Sequence, residues 1–147
     1  MFIACGKATN TGTITCTDVS VANDSVVLLN FASANSLHPV KDTSGLYYQI
    51  VTQGTGPTPN DNSTIFVTYK GVLMNGTIFD STSNPAKTGF LLGTLISGWR
   101  IGLPKIQAGG EIKLLIPSHF GYGCTGNEPF VPSNAPLYFD VNLVTVQ

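Results

Sequence analysis

The spacing of hydrophobic and polar residues along the chain changes near residue 45. Between residues 23 and 36, apolar residues crowd one side of a segment that Asn23 or Asp24 can cap, which predicts a short helix. His38-Pro39 ends that segment. We expect this helix to pack against the rest of the protein. From Gly45 onward, apolar and polar residues alternate instead, which is typical of strands.

Alternation predicts strands over residues 46–51, 65–70, 111–116 and 137–143. Asn75-Gly76 predicts a hairpin turn between Val72-Leu73 and Ile78-Phe79. A second short helix is predicted over residues 95–103, where Pro104 ends it. Many strands and few helices predict an α+β fold: an antiparallel sheet that covers one short helix.

Composition narrows the function classes. The chain has 147 residues, enough for one domain with a core, and only 10% are charged, against about 25% in a typical domain. The net charge is −1 and no basic stripe is present, so we expect no nucleic-acid partner. The sequence contains no run of about 18 apolar residues, so it predicts no membrane-spanning helix.

Three cysteines, Cys5, Cys16 and Cys124, bear on redox chemistry and metal binding. They form no CxxC pair and have no histidine at metal-ligand spacing, so the sequence predicts no metal site and no cofactor. Cys5 could pair with Cys16 in an oxidising compartment, with Cys124 packing as a small hydrophobic residue. Alternatively, Cys5 is chemically modified.

The first residues indicate what that modification is. Met1-Phe2-Ile3-Ala4-Cys5-Gly6 matches the end of a bacterial lipoprotein signal, in which a small residue precedes the cysteine that receives lipid. Residues 6–20 are small and polar without a period, which predicts a flexible tether. The predicted organisation is therefore 1–20 lipobox-like start and tether, 21–43 helix and linker, and 44–147 main domain.

Five motifs between residues 44 and 146 resemble one family, the FKBP-type peptidyl-prolyl cis–trans isomerases. Their order and spacing carry the resemblance, since each alone is weak. The motifs are Ser44-Gly45-Leu46-Tyr47-Tyr48 with Gly54-Thr55-Gly56, Val67-Thr68-Tyr69-Lys70-Gly71 with Phe79-Asp80-Ser81, Ile96-Ser97-Gly98-Trp99, Phe120-Gly121-Tyr122-Gly123, and Leu137-Tyr138-Phe139-Asp140-Val141.

The resemblance implies a five-stranded antiparallel sheet curled around a short helix, with the helix of residues 23–36 as an addition. It also implies an aromatic pocket with Trp99 as its floor. The other implied substrate-binding residues are walls at Tyr69, Phe79 and Phe139, an edge at Leu95, Ile96 and Tyr122, and a rim loop at Phe130 and Val131. The chain departs from the family between Asp80 and Trp99, where Pro85 and Gly89 occupy positions that are basic and aromatic in other members.

The implied activity is rotation about X–Pro peptide bonds. Such a bond resists rotation by about 18–20 kcal/mol because resonance holds it planar. An apolar pocket favours the twisted amide, which is less polar than the planar one, so no nucleophile or cofactor is needed. The implied catalytic residues are Ile96 and Tyr122, whose N–H and hydroxyl would bind substrate carbonyls, and Asp80. The Asp80 carboxylate would either orient its neighbours or act on the twisted carbonyl.

The implied partners are proline-containing polypeptides and the macrolide inhibitors tacrolimus and rapamycin. Together with the lipobox-like start, the resemblance predicts an isomerase of the bacterial cell envelope with a lipid anchor at Cys5. Two alternatives remain open at the level of sequence. One is a binding module or chaperone that holds proline segments without turnover. The other is a structural envelope protein that dimerises through the helix of residues 23–36.

Overall fold

The computed structural model describes residues 16–147. Its helices are α1 (Val21–Ala34) and α2 (Ser97–Gly102). Its strands are β1 (Val40–Lys41), β2 (Tyr47–Thr52), β3 (Thr64–Leu73), β4 (Ile78–Thr82), β5 (Phe90–Leu91), β6 (Gly110–Ile116) and β7 (Leu137–Val146). Short 3₁₀ turns lie at Pro85–Lys87, Leu92–Thr94, Leu103–Lys105 and Ser118–Phe120.

All strand pairs are antiparallel, in the order β1-β2-β6-β7-β3-β4, and β5 pairs with the start of β3. The predicted α+β fold is confirmed, including the sheet around a short helix and the extra N-terminal helix. The sheet has seven strands rather than five because β1 and β5, each two residues long, extend it at its margins. The predicted hairpin also forms, since Leu73 N–H donates to the Thr77 carbonyl around Asn75-Gly76.

The main core lies between one face of the sheet and α2. Alternate residues of β6 and β7, such as Leu114 and Phe139, point into it, as do Trp99 and Leu103. The helix can approach the sheet closely because glycines face the strands. A Cβ placed on Gly98 would lie 2.6 Å from Ile116 Cδ1. This close contact is what brings α2 under the aromatic residues described below.

Helix α1 covers the opposite face of the sheet. Leu28 and Ala32 pack there against the intervening residues of the same strands, including Leu115 and Tyr138. The predicted helix is confirmed, but it begins two residues earlier than expected and its cap is Ser20, whose hydroxyl accepts from Asn23 N–H at 3.2 Å. Asp24 is not the cap because its buried carboxylate accepts hydrogen bonds from Ser118.

The structure pairs Cys16 with Cys124 in a disulfide whose Cα atoms are 5.8 Å apart, instead of pairing Cys16 with Cys5. Cys5 and its predicted lipid attachment lie outside the described residues. Of the predicted tether 6–20, only residues 16–20 are described, and they are bound to the domain. Asp18 accepts from Cys124 N–H at 2.7 Å, and Val19 N–H donates to Asn134 Oδ1 at 3.2 Å. A short polar segment can be held by such bonds without burying apolar surface.

Neither helix within residues 16–147 is both long and apolar enough to cross a membrane.

Candidate functional site

Aromatic rings surround a small cavity at the end of the main core. Its volume is about 130 Å³. Its lining contains one carboxylate among mostly apolar side chains: Tyr69, Asp80, Phe90, Leu95, Ile96, Trp99, Tyr122 and Phe139. These residues come from four strands, the segment that leads into α2, α2 itself and the loop between β6 and β7.

Trp99 forms the floor of the cavity and is only 4% exposed. Tyr69 and Phe139 stand edge-on to its indole, each with ring centroids 5.3 Å away and interplanar angles of 85° and 86°. Edge-to-face pairs of this kind contribute about 0.5–1.5 kcal/mol beyond their buried area. The indole Nε1 is buried and has no hydrogen-bond partner among the described residues. The flat face of the indole thus forms an apolar floor, whose edge carries one donor that is unpaired within residues 16–147.

Gly71 explains how the walls fit together. It lies opposite Phe139 in the register of β3 and β7. A Cβ at this position would lie 2.7 Å from the Phe139 ring and 2.7 Å from the Phe79 ring. Phe79 and Phe139 use that space to pack edge-on, with centroids 5.4 Å apart. A glycine on the strand thus makes room for two rings beside the cavity.

Asp80 is held by Tyr69, whose hydroxyl donates to Asp80 Oδ2 at 2.8 Å. Burial raises the pKa of the Tyr69 hydroxyl well above its ordinary value, and the hydrogen bond to the Asp80 carboxylate raises it further. Tyr69 therefore keeps its proton at neutral pH and remains a donor. The arrangement places one oriented carboxylate at the mouth of an otherwise apolar cavity.

Tyr122 lies across the cavity, in the loop between β6 and β7. Its pKa is raised, first by burial and then by the negative charge of Asp80, while a side-chain hydrogen bond with Asn127 acts in the opposite direction. The backbone N–H of Ile96 donates to no group within residues 16–147. Ile96 precedes α2 and lines the cavity. Its N–H and the Tyr122 hydroxyl are therefore candidate donors to a bound ligand.

A groove of about 390 Å³ adjoins the cavity and shares Asp80 and Tyr122 with it. Phe79, Asn127 and Phe130 complete its lining. Phe130 is 61% exposed, as expected of a residue on a rim. A chain bound with one residue in the cavity would thus extend across an aromatic surface.

Most of the residues named from sequence come together here. Tyr69, Asp80, Leu95, Ile96, Trp99, Tyr122 and Phe139 line the cavity, and Phe79 and Phe130 line the adjoining groove. Val131 is predicted on the rim, and this prediction is wrong. Its side chain is fully buried in the core, because its backbone pairs with Asn127 and turns the side chain inward.

Phe90 is the cavity residue that sequence reasoning missed. It supplies the wall that Pro85 and Gly89 left without an aromatic residue, and its ring centroid is 6.4 Å from that of Tyr69. Strand β5 places it there by pairing Phe90 with Ile65. The available signal was the short apolar run Phe90-Leu91-Leu92 directly after a turn glycine.

A larger depression of about 690 Å³ lies between α1 and the β3–β4 hairpin, but it differs in character. It is open, and its lining mixes apolar residues with Asn30, Lys70 and Asn75. Two aromatic rings line it, Phe31 and Tyr138, against five aromatic residues around the cavity over Trp99. The smaller cavity is the better candidate for a ligand site.

Comparison with known proteins identifies the same family that the sequence motifs resemble. Residues 56–144 match the family model described as FKBP-type peptidyl-prolyl cis–trans isomerase. FkpA of Escherichia coli strain K12, an FKBP-type peptidyl-prolyl cis–trans isomerase, is 42% identical over 106 residues, which cover 71% of this chain and 39% of that protein. The present chain thus spans well under half the length of this relative.

Solved structures agree with the sequence comparison. The crystal structure of FkpA from Escherichia coli superposes with a TM-score of 0.75 and 35% identity, covering 86% of this chain and 61% of that one. A peptidyl-prolyl cis–trans isomerase from Pseudomonas syringae pv. tomato superposes with a TM-score of 0.72 and 30% identity, covering 89% of this chain and 98% of that one.

Proposed function

The chain belongs to the family of FKBP-type peptidyl-prolyl cis–trans isomerases, and on this premise we propose that it accelerates rotation about X–Pro peptide bonds. The observation that carries the proposal is the cavity over Trp99. It is small, walled by four aromatic rings besides the indole, and almost free of charge. A proline ring lying flat on the indole would place its amide bond at the mouth, next to Asp80 and Tyr122.

The cavity would act by stabilising the twisted amide more than the planar one. Conjugation is lost as the bond rotates, so the carbonyl and nitrogen carry less charge separation and lose less by leaving water. Only this difference between the two states accelerates the reaction. About 1.4 kcal/mol of preference gives a factor of ten in rate, so a preference of a few kcal/mol is enough.

The polar groups at the mouth would hold the peptide in register. The Ile96 N–H and the Tyr122 hydroxyl would donate to substrate carbonyls. Asp80, held by Tyr69 at 2.8 Å, has two possible roles: it orients the tyrosines, or its charge acts on the rotating carbonyl. Asn in place of Asp80 separates these roles because it keeps an oxygen acceptor and removes the charge.

The test is the cis-to-trans exchange of a proline peptide at neutral pH, which takes about 10–100 s without a catalyst. We expect the protein to accelerate it, and Asp80→Ala and Tyr122→Phe each to lower kcat/KM about tenfold, the loss expected when a hydrogen bond made in the transition state is removed. If Asp80→Asn retains the activity, the role is orientation, whereas a loss as large as that of Ala indicates a role for the charge.

The same experiment separates catalysis from simple binding. Trp99 is the only tryptophan, so its fluorescence reports occupation of the cavity directly. Peptide binding that changes this fluorescence without accelerating exchange would identify a binding module or chaperone and contradict the proposed enzyme. We also propose that macrolides such as tacrolimus and rapamycin occupy this cavity. Competition with the peptide for the Trp99 signal tests that point.

We further propose that the protein works in a bacterial cell envelope on unfolded or refolding proteins. The Cys16–Cys124 disulfide supports this location, because disulfides persist in oxidising compartments and are rare in reducing ones. We propose in addition that Cys5 carries a lipid anchor. The structure does not describe this residue, so the anchor needs its own test. Mass spectrometry of the protein from bacterial membranes tests it: an acylated peptide containing Cys5 is expected, and an unmodified one would contradict it.

A further inference from the structure

Tyr122 lies between two glycines on a loop that is held by backbone hydrogen bonds and by contacts with the N-terminal segment. It is flanked by Gly121 and Gly123, and Gly123 has a φ of +59°, in the region where glycine has no steric penalty. Within the loop, Gly123 N–H donates to the Ser118 carbonyl at 2.8 Å and Gly126 N–H donates to the Tyr122 carbonyl at 3.0 Å. The Tyr122 side chain also has a hydrogen bond with Asn127, so its direction depends on how the loop residues on both sides of it are held.

Asp18 contacts the loop on both sides of Tyr122. Its Oδ1 accepts from Cys124 N–H at 2.7 Å, and its Oδ2 lies 2.7 Å from His119 Nδ1. The carboxylate also packs against Gly123, because a Cβ at that position would lie 2.7 Å from Asp18 Oδ1. One side chain from the N-terminal segment therefore spans the loop from residue 119 to residue 124.

Asp18 is itself held in place by its surroundings. The disulfide joins its neighbour Cys16 to Cys124, and Val19 N–H donates to Asn134 Oδ1. Asn134 N–H in turn donates to the Gly123 carbonyl at 2.9 Å. The carboxylate thus sits on a fixed segment rather than on a loose end. Cys16, Asp18 and Val19 lie outside residues 56–144, the part that matches the family model, whereas the loop residues that they contact lie within it.

We propose that Asp18 is a positioning residue for the isomerase reaction, acting through the loop that carries Tyr122. The inference rests on the proposed function, since it assigns Tyr122 a role at the cavity mouth. Hydrogen bonds to a carboxylate are about twice as strong as neutral ones, so Asp18 is suited to holding this loop. The hydrogen bond from Cys124, with that from His119, lowers the pKa of Asp18, so it is ionised at neutral pH.

The first test measures the loop without measuring turnover. In the full protein with its disulfide intact, amide hydrogen exchange of residues 121–127 is compared between the parent and Asp18→Ala. We expect exchange at Cys124 and its neighbours to become at least about tenfold faster, because the variant lacks a charge-assisted hydrogen bond. Unchanged exchange across residues 121–127 would overturn the proposal.

The second test asks whether Asp18 acts through Tyr122. We expect Asp18→Ala to lower kcat/KM about three- to tenfold in the parent and less than about twofold in the Tyr122→Phe background, since residues that act together are not additive. An equal loss in both backgrounds would show that Asp18 acts on stability or on another group, and would overturn the proposal. Asp61→Ala is the control, because its exposed carboxylate pairs with Arg100 and does not touch the loop; we expect no change in exchange or turnover.

Asp18→Asn is the second variant, since it keeps the volume and one oxygen acceptor and is expected to fold even if Asp18→Ala does not. Its exchange rates and kcat/KM should lie between those of the parent and the Ala variant. If the Ala variant cannot be studied, exchange in Asp18→Asn should be measurably faster, and kcat/KM measurably lower, than in the parent. Values equal to those of the parent would contradict a role for the carboxylate. One outcome separates this inference from the proposed function. If the parent shows no isomerase activity but amide exchange is faster in the Asp18 variants, the proposed function is refuted, whereas the contact between Asp18 and the loop is supported.

Discussion

At the residue scale, Tyr69 combines the two chemical characters of the cavity. Its ring is an apolar wall set edge-on to Trp99, and its hydroxyl holds the one carboxylate at the mouth. Burial and the nearby carboxylate raise its pKa, so it remains a donor through the neutral range. A phenylalanine could build the same wall, and the hydroxyl is therefore expected to matter for Asp80 rather than for packing.

Replacing Tyr69 with Phe tests this division of roles. We expect kcat/KM to fall about threefold to tenfold, because Asp80 is no longer oriented, while the free energy of unfolding changes by less than about 1 kcal/mol. Tyr48→Phe is the matched control, since Tyr48 packs against the same core but lies away from the cavity. A loss of stability without a loss of turnover in Tyr69→Phe would contradict the assigned role.

At the scale of elements, the site depends on how closely α2 approaches the sheet. The helix has only six residues, too few to be stable alone, so packing must hold it. Gly98 and Gly102 face Ile116 and Leu114, where added Cβ atoms would meet side chains at 2.6 Å and 2.5 Å. The depth of the Trp99 floor is therefore set by two missing side chains.

Gly98→Ala should move that floor. Alanine favours a helix by about 1 kcal/mol over glycine, but the clash with the buried Ile116 is expected to cost more, about 1–3 kcal/mol. We predict a net loss of stability in denaturant unfolding and a lower kcat/KM. Gly76→Ala is the control for stability alone, because its φ of +91° imposes backbone strain in an open turn far from the cavity. Equal turnover in the two variants would argue against a role for helix depth.

At the scale of the whole molecule, segments outside the family match bind the domain at several points. Helix α1 covers the outer face of the sheet, and Asp24 reaches Ser118. In the linker that follows α1, Asp42 accepts from Lys105 Nζ at 2.6 Å, and both side chains are mostly buried at 18% and 23% exposure. The N-terminal part is thus integrated into the fold, and it contacts both the loop that carries Tyr122 and the 3₁₀ turn that follows α2.

The Asp42–Lys105 pair gives a stability that depends on pH. Hydrogen bonds from Lys105 and then from Ser44 hold the pKa of Asp42 well below its ordinary value of 3.8. A carboxylate whose pKa is lower in the folded state stabilises the protein at pH values above its unfolded-state pKa. This stabilisation is lost as the pH falls through the folded-state pKa. We expect Asp42→Asn to lower the free energy of unfolding by about 1 kcal/mol at pH 7.

The difference in the free energy of unfolding between Asp42→Asn and the parent should shrink as the pH falls below about 4. Urea unfolding of both proteins between pH 7 and pH 2.5 measures it. Asp61→Asn removes an exposed ion pair with Arg100 and should show a smaller effect throughout. A difference between Asp42→Asn and the parent that grows on acidification would contradict the assignment.

Local patterns in the sequence predicted the longer strands and the Asn75-Gly76 hairpin, because period-two alternation and turn chemistry act between near neighbours. The resemblance to the family supplied most of the aromatic residues at the cavity. Tertiary structure decided the rest. The position of Phe90, the burial of Val131, the pairing of Cys16 with Cys124 and the partners of Asp18 and Asp24 join residues far apart in the chain, up to 108 positions for the disulfide. Such contacts form only when the sheet brings distant segments together, so they cannot be predicted from local patterns in the sequence.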